Sequence, residues 1–181
     1  ESINKKNKIF KADLTLINEN LDYIESLDTK KYDVIINTEN IEHVVNDTEL
    51  VSKMSNVLND RGFIYFTTPN WFAKPASKHD LGPFDIDRQD GGHVRRGYTL
   101  AWLEELFLSN NLITVDKGYL SGPAAILLLG FSRSIPEILK PLFKVITIPL
   151  SIFCNFVDRI LFKSYKSSAS VYFILQKRPI G

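Results

Sequence analysis

Apolar and polar positions follow two different rhythms along this chain, and the clearest example runs from Tyr32 to Asn70: YDVIINTENIEHVVNDTELVSKMSNVLNDRGFIYFTTPN. Tyr32 to Ile36 is a short apolar run rich in β-branched residues, which predicts a strand buried on both faces. Asn37 to Val45 is a loop dense in carboxylates and amides with one histidine. From Asn46 to Leu58 the period changes to that of a helix. Leu50, Met54, Val57 and Leu58 fall on one face, with Glu49, Ser52, Lys53 and Asn56 on the other. Asn46 is a suitable N-cap, and Glu49 three residues on completes a capping box. Asp60-Arg61-Gly62 reads as a turn and Phe63 to Thr68 as a second buried strand, stopped by Pro69-Asn70. Two apolar strands joined by a crossover helix make a right-handed βαβ unit with parallel neighbours. Open α/β sheets hold ligands just past the ends of such strands, so Asn37 to His43 and Thr68 to Phe72 are expected to be two lips of one site.

The flanking pattern extends this unit. Lys8 to Leu16 predicts a first strand with Asp13 near its end, and Asn18 to Leu27 a short helix. Thr99 is expected to cap a helix with Leu100, Leu103, Leu106 and Phe107 on one stripe, ending near Asn110-Asn111. Leu112 to Lys117 and Ser170 to Gln176 predict two more strands. The long connection from Trp71 to Gly97 has little periodicity and gathers His79, Asp80, Asp85, Asp87, Asp90 and His93, residue types that can ligate a metal. Its spacing fits no EF-hand, so a solvated acidic loop is expected.

Residues 120–165 stand out by composition, rich in Leu, Ile and Phe with prolines at 123, 136, 141 and 149. They predict a hydrophobic helical insertion before the last strand. The charge-free run from Val145 to Val157 is shorter than the about 20 residues a membrane span needs, and Pro149 interrupts it. Two helices packed on the domain, or a peripheral membrane contact through 135–163 with flanking Lys140, Lys144, Arg159, Lys163 and Lys166, are the readings left open.

The 181 residues suffice for a single domain, and a formal charge of +1 gives no general attraction for nucleic acid. Cys154 is the only cysteine, which fits a reducing cytoplasm. The first residues, ESINKKNKIF, contain no apolar core of a signal peptide and do not begin with methionine.

Four segments together resemble class I S-adenosylmethionine-dependent methyltransferases. They are Tyr32-Asp33-Val34-Ile35, Glu39-Asn40-Ile41-Glu42-His43-Val44, Leu58-Asn59-Asp60-Arg61-Gly62-Phe63-Ile64 and Thr67-Thr68-Pro69-Asn70. His93-Val94, Tyr98-Thr99 and Leu103-Glu104-Glu105-Leu106 look like the segment before that family's sixth strand. The flavour is that of small-molecule and lipid O-methyltransferases of quinone and surface-glycan pathways. The resemblance implies an α/β fold with a Rossmann-like, mostly parallel sheet, helices on both faces and an antiparallel final strand beside the fifth. It also implies S-adenosyl-L-methionine as cofactor and a small-molecule or lipid- or glycan-linked acceptor methylated on oxygen or nitrogen. Asp13, Asn37, Thr38 and Glu39 would then lie on the cofactor side, and His43 would be the candidate base. Asn70, Trp71, His93 and Arg95 would shape the acceptor side, with no metal required.

One departure is plain: none of the nine glycines forms the G-x-G loop that follows the family's first strand. If Lys8 to Leu16 corresponds to the third strand, Asp13 matches the acid near the adenine. If Asp13 ends the second, it matches the acid on the ribose. The roughly twenty residues to Asp33 favour the first mapping, because the second leaves little room for a strand and a helix between. The expectation is a single partial domain over 1–181, N-terminally truncated. The competing expectation is a non-catalytic fragment or membrane-surface interaction module that binds no cofactor. Glu42-His43 lacks the first histidine of a His-x-x-Glu-His zinc motif, which argues against a metal there.

Overall fold

The computed structural model describes residues 3–7, 12–16, 31–74, 82, 84, 92–133, 135–162 and 165–179. Ile3–Asn7 (β1) and Ala12–Leu16 (β2) pair antiparallel, with Lys6 opposite Asp13. Of the strand expected over Lys8 to Leu16, Ala12–Leu16 is a strand and satisfies its backbone groups against an earlier segment of the chain; residues 8–11 lie outside the described residues. The helix expected over Asn18 to Leu27 and the acidic cluster from His79 to Asp90 lie outside the described residues.

The main sheet contains Tyr32–Thr38 (β3), Leu58–Pro69 (β4), Leu112–Leu120 (β5) and Ser170–Lys177 (β6), in the order β3-β4-β6-β5. β3 is parallel to β4, while β6 runs antiparallel to both β4 and β5. Three of these four strands therefore share a direction, and the last is inserted against it beside β5, as the resemblance implies. Asp47–Val57 (α1) carries the crossover from β3 to β4, and Leu100–Ser109 (α2) precedes β5. Pro123–Arg133 (α3) and Lys140–Leu161 (α4) fill the hydrophobic stretch between β5 and β6.

Both capped helices begin where the side chains dictate. The Asn46 Oδ1 accepts from the Glu49 N–H at 3.1 Å, and its Nδ2 donates to Glu49 Oε2 at 2.9 Å, closing the capping box. Thr99 Oγ1 accepts from the Trp102 N–H at 3.2 Å. The apolar stripes of α1 and α2 then meet one sheet face. Leu50, Met54, Leu103 and Phe107 pack with Ile64, Phe66, Phe173 and Leu175 in a single core. Phe107 lies edge-on to Phe66 and Phe173, with ring centroids 5.0 and 5.1 Å away.

Two strand expectations need correction. β3 is not buried on both faces: it is the edge strand, and Val34 and Ile36 are 58 % and 70 % exposed on the side away from α1 and α2. Asp60-Arg61-Gly62 is not a turn ending one element and opening another. β4 is continuous from Leu58, and these residues form an irregularity between the pairs Tyr32–Leu58 and Val34–Phe63. Arg61 adopts a left-handed φ of 62°, and its carbonyl accepts from the Gln176 amide across the sheet.

Candidate active site at the ends of two parallel strands

Beyond β3 the chain must leave the sheet at once, and Glu39 makes the bend with a left-handed φ of 47°. Such a conformation is uncommon for a residue other than glycine and concentrates at functional sites. The Glu39 N–H donates to the Thr67 carbonyl at 2.9 Å, fixing the loop over the end of β4. The Thr67 and Ser170 hydroxyls lie near its carboxyl, so three strands converge on it. Burial of that carboxyl raises its pKa, opposed by the two hydroxyls and by nearby His43.

A 3-10 turn, Ile41–His43, follows and turns Glu42 inward, where it is 1 % exposed. Thr68 Oγ1 donates to Glu42 Oε2 at 3.0 Å. Loss of hydration pushes the Glu42 carboxyl up to about 7, Glu39 adds to the rise, and the Thr68 hydroxyl and His43 oppose it. His43 stands beside it, with Nε2 3.8 Å from Glu42 Oε1 and its ring edge-on to that of His93, centroids 4.7 Å apart. The second face of the site is brought in by residues 93–98. The Val94 N–H donates to the Glu42 carbonyl, and Tyr98 exchanges backbone bonds with Pro69 and Trp71. Gly97 permits this approach: at its φ of 142° a Cβ would lie 2.4 Å from the Pro69 carbonyl oxygen.

The site residues expected from sequence divide into three groups. Glu39, His43 and His93 come together around Glu42, while Asn37 stands near the end of β3 and Thr38 is exposed. Asn37 Oδ1 and His43 Nδ1 are both buried without a hydrogen-bond partner, and buried polar atoms left so carry a cost that a ligand can relieve. Trp71 is half-exposed at the end of β4, under the Arg96 guanidinium at 5.7 Å, and fits a pocket wall.

Asn70 and Arg95 are corrections. The Asn70 amide donates to the Lys166 and Ser168 carbonyls at 2.7 and 2.8 Å, and its oxygen accepts from the Phe72 N–H. Arg95 donates to the Asp47 carboxylate, the Tyr98 hydroxyl and the Val44 and Val45 carbonyls. Both hold the loops in place and have little left for a substrate. Asp13 lies in β2, opposite Lys6 of the antiparallel β1.

Glu42 and Thr68 lie within the two expected lips though neither was given a role, while Thr67 and Ser170 lie outside them. The adjacent threonines at the end of an apolar strand were the available signal for Thr67. Ser170 gave none. Glu42, His43 and His93 also bring one donor atom each to within 4.8 Å of one another.

No protein-family model matches this chain, and no curated protein does. Solved structures do. A SAM-dependent methyltransferase from Archaeoglobus fulgidus is 19 % identical with a TM-score of 0.50, over 87 % of this chain and 64 % of that one. Phosphoethanolamine N-methyltransferase 2 from Haemonchus contortus, solved with S-adenosyl-L-methionine, is 13 % identical at a TM-score of 0.50, over 82 % of this chain and 34 % of that one. The chain spans about half the length of other similar solved chains. The likeness shows the fold: a Rossmann-like sheet similar to that of these solved methyltransferases.

Proposed function

We propose that this chain takes part in methyl transfer from S-adenosyl-L-methionine to an oxygen or nitrogen of a small-molecule, or lipid- or glycan-linked, acceptor. The observation that carries the reading is the cluster past the ends of β3 and β4, in a sheet of methyltransferase order, with two buried polar atoms left unpartnered. The donor set fits such a cofactor, whose ribose hydroxyls and ammonium group need oxygen acceptors. Asn37 Oδ1, the Thr38 hydroxyl and the Glu39 carboxylate offer them. When bound, it supplies an electrophilic methyl group on a sulfonium centre.

The chain's own residues then have two tasks. Trp71 and His93 wall the acceptor so that its nucleophilic atom is held in line, which is the larger part of catalysis for a displacement. His43 accepts the proton the acceptor loses as its new bond forms. Glu42, neutral below about pH 7, stays beside His43 without placing a full negative charge in the core. The lone cysteine fits the reducing cytoplasm in which we place this activity.

Titration calorimetry with S-adenosylhomocysteine tests the reading. Saturable binding is expected, with Asn37→Ala weakening it about tenfold, the worth of one buried hydrogen bond. Absence of binding overturns it for this polypeptide. That result would instead support a non-catalytic module, a second reading favoured by the lack of any G-x-G among the nine glycines.

A further inference from the structure

The α3–α4 hairpin turns many of its large apolar side chains outward. A helix on the surface of a water-soluble domain turns its apolar stripe inward and its polar face to solvent. In α4 the face toward α3 carries Thr147, Ser151, Asn155 and Asp158. Thr147, Ser151 and Asn155 line a cleft of about 320 Å³ between the two helices. The outward face carries Ile152, Phe153, Phe156 and Ile160, each at least 60 % exposed. Leu127 and Phe131 of α3 and Ile138 of the connection are exposed in the same way. This is far more contiguous apolar surface than a monomer in water leaves open.

The charges follow a second pattern. Residues 120–166 contain Arg133, Lys140, Lys144, Arg159, Lys163 and Lys166 against only Glu137 and Asp158. Asp158 is buried and occupied: its carboxylate accepts from the Ala124 and Ala125 N–H groups at 3.0 and 2.9 Å, capping α3. The segment is thus strongly cationic in sequence, with bases near both ends of α4, of which Arg159 and Lys166 are exposed. No helix among the described residues is long and apolar enough to cross a membrane.

From these features we propose that the α3–α4 hairpin lies in the surface of an anionic phospholipid bilayer. The outward apolar face of α4 enters the acyl boundary, and the flanking bases meet the headgroups. An outward face of exposed apolar side chains suits this occupant, and the cationic flanks select anionic lipid. The inference does not depend on methyl transfer, and binding to lipid can be measured without cofactor or acceptor.

The test is flotation of the purified 181-residue chain with vesicles of phosphatidylcholine alone or mixed with phosphatidylglycerol. Binding to the mixed vesicles is expected, weakening as salt is raised. Phe153→Ser with Phe156→Ser should reduce it at least about tenfold. Lys166→Ser should reduce it about fivefold, as expected for one basic residue at the surface. Phe153→Trp should show a blue-shifted emission on adding mixed vesicles. Both serine replacements are at exposed positions, and unchanged far-ultraviolet dichroism confirms the fold. Three results would each overturn the proposal. One is failure to float at low salt, and another is flotation insensitive to the phenylalanine pair. The third is a dimer in sedimentation equilibrium that the same pair dissociates, since a second copy would then cover the face.

Discussion

A carboxyl group with 1 % of its surface in contact with water cannot ionise as an exposed one does, and Glu42 is the sharpest case here. Its folded pKa, raised to about 7 from the ordinary 4.5, means that the native state holds a proton the unfolded chain has already lost. The stability from this group is complete below about pH 4.5 and declines as pH rises through about 7, by on the order of 3 kcal/mol. Glu42→Gln keeps an oxygen for the Thr68 hydroxyl and removes the ionisation. Urea unfolding of the two proteins from pH 4.5 to 8 should show the parent losing stability relative to the variant over that window. Asn70 and Arg95 teach the complementary lesson at the same scale. Each has the chemistry of a ligand contact, yet the partners that occupy Asn70 are 96 and 98 residues away, and those of Arg95 include Asp47, 48 residues away. Side-chain type suggested a role for both, and only tertiary placement decides it.

Among elements, the α3–α4 pair depends on one acid more than on its apolar surface. The first N–H groups of a helix have no partner of their own, and in α3 two of them are met by Asp158 from α4. Gly122 allows this closeness, since a Cβ there would come within 2.9 Å of the Asp158 carboxyl carbon. Asp158→Asn replaces one acceptor oxygen by a donor that faces another donor. It should cost about 1–3 kcal/mol, read as a lower urea midpoint with an unchanged slope. The sequence foretold elements where the signal is local. Asn46 with Glu49 and Thr99 before its apolar stripe both cap as their residue types require, and the alternation of Val171, Phe173 and Leu175 marks β6 with its buried face. It misled where the signal comes from a neighbour. Asp60-Arg61-Gly62 has the composition of a turn, yet it lies within β4, where the Arg61 carbonyl accepts from the Gln176 amide across the sheet. An apolar run such as Val34 to Ile36 cannot reveal that its strand lies at an edge with one face open. At the site, Asn37, Glu39 and His43 were legible because parallel strands expose their ends. Ser170 joins them only through the final antiparallel strand, which no local pattern announces.

For the whole molecule, the two faces of the sheet are unequal. α1 and α2 cover one; the other leaves Val34, Ile36, Phe63 and Tyr65 open to solvent. β3 borders that open face, and within the main sheet it is hydrogen-bonded only to β4. An apolar face beside an unpaired strand edge favours pairing with further strands, and the solved chains of this fold are longer than the portion this chain matches. In isolation the chain should therefore associate through β3 as its concentration rises. Ile36→Lys puts a charge on that edge at a position 70 % exposed, where a substitution changes stability by no more than about 0.5 kcal/mol. Sedimentation velocity should show the parent moving to larger species with concentration and this variant remaining monomeric, with the same melting temperature. Ile35→Lys is the control on the opposite face: Ile35 packs against the core, and a lysine there should unfold the domain. Association through β3 should also persist when Phe153 and Phe156 are replaced by serine, because those residues belong to the lipid-facing helix and not to the sheet edge.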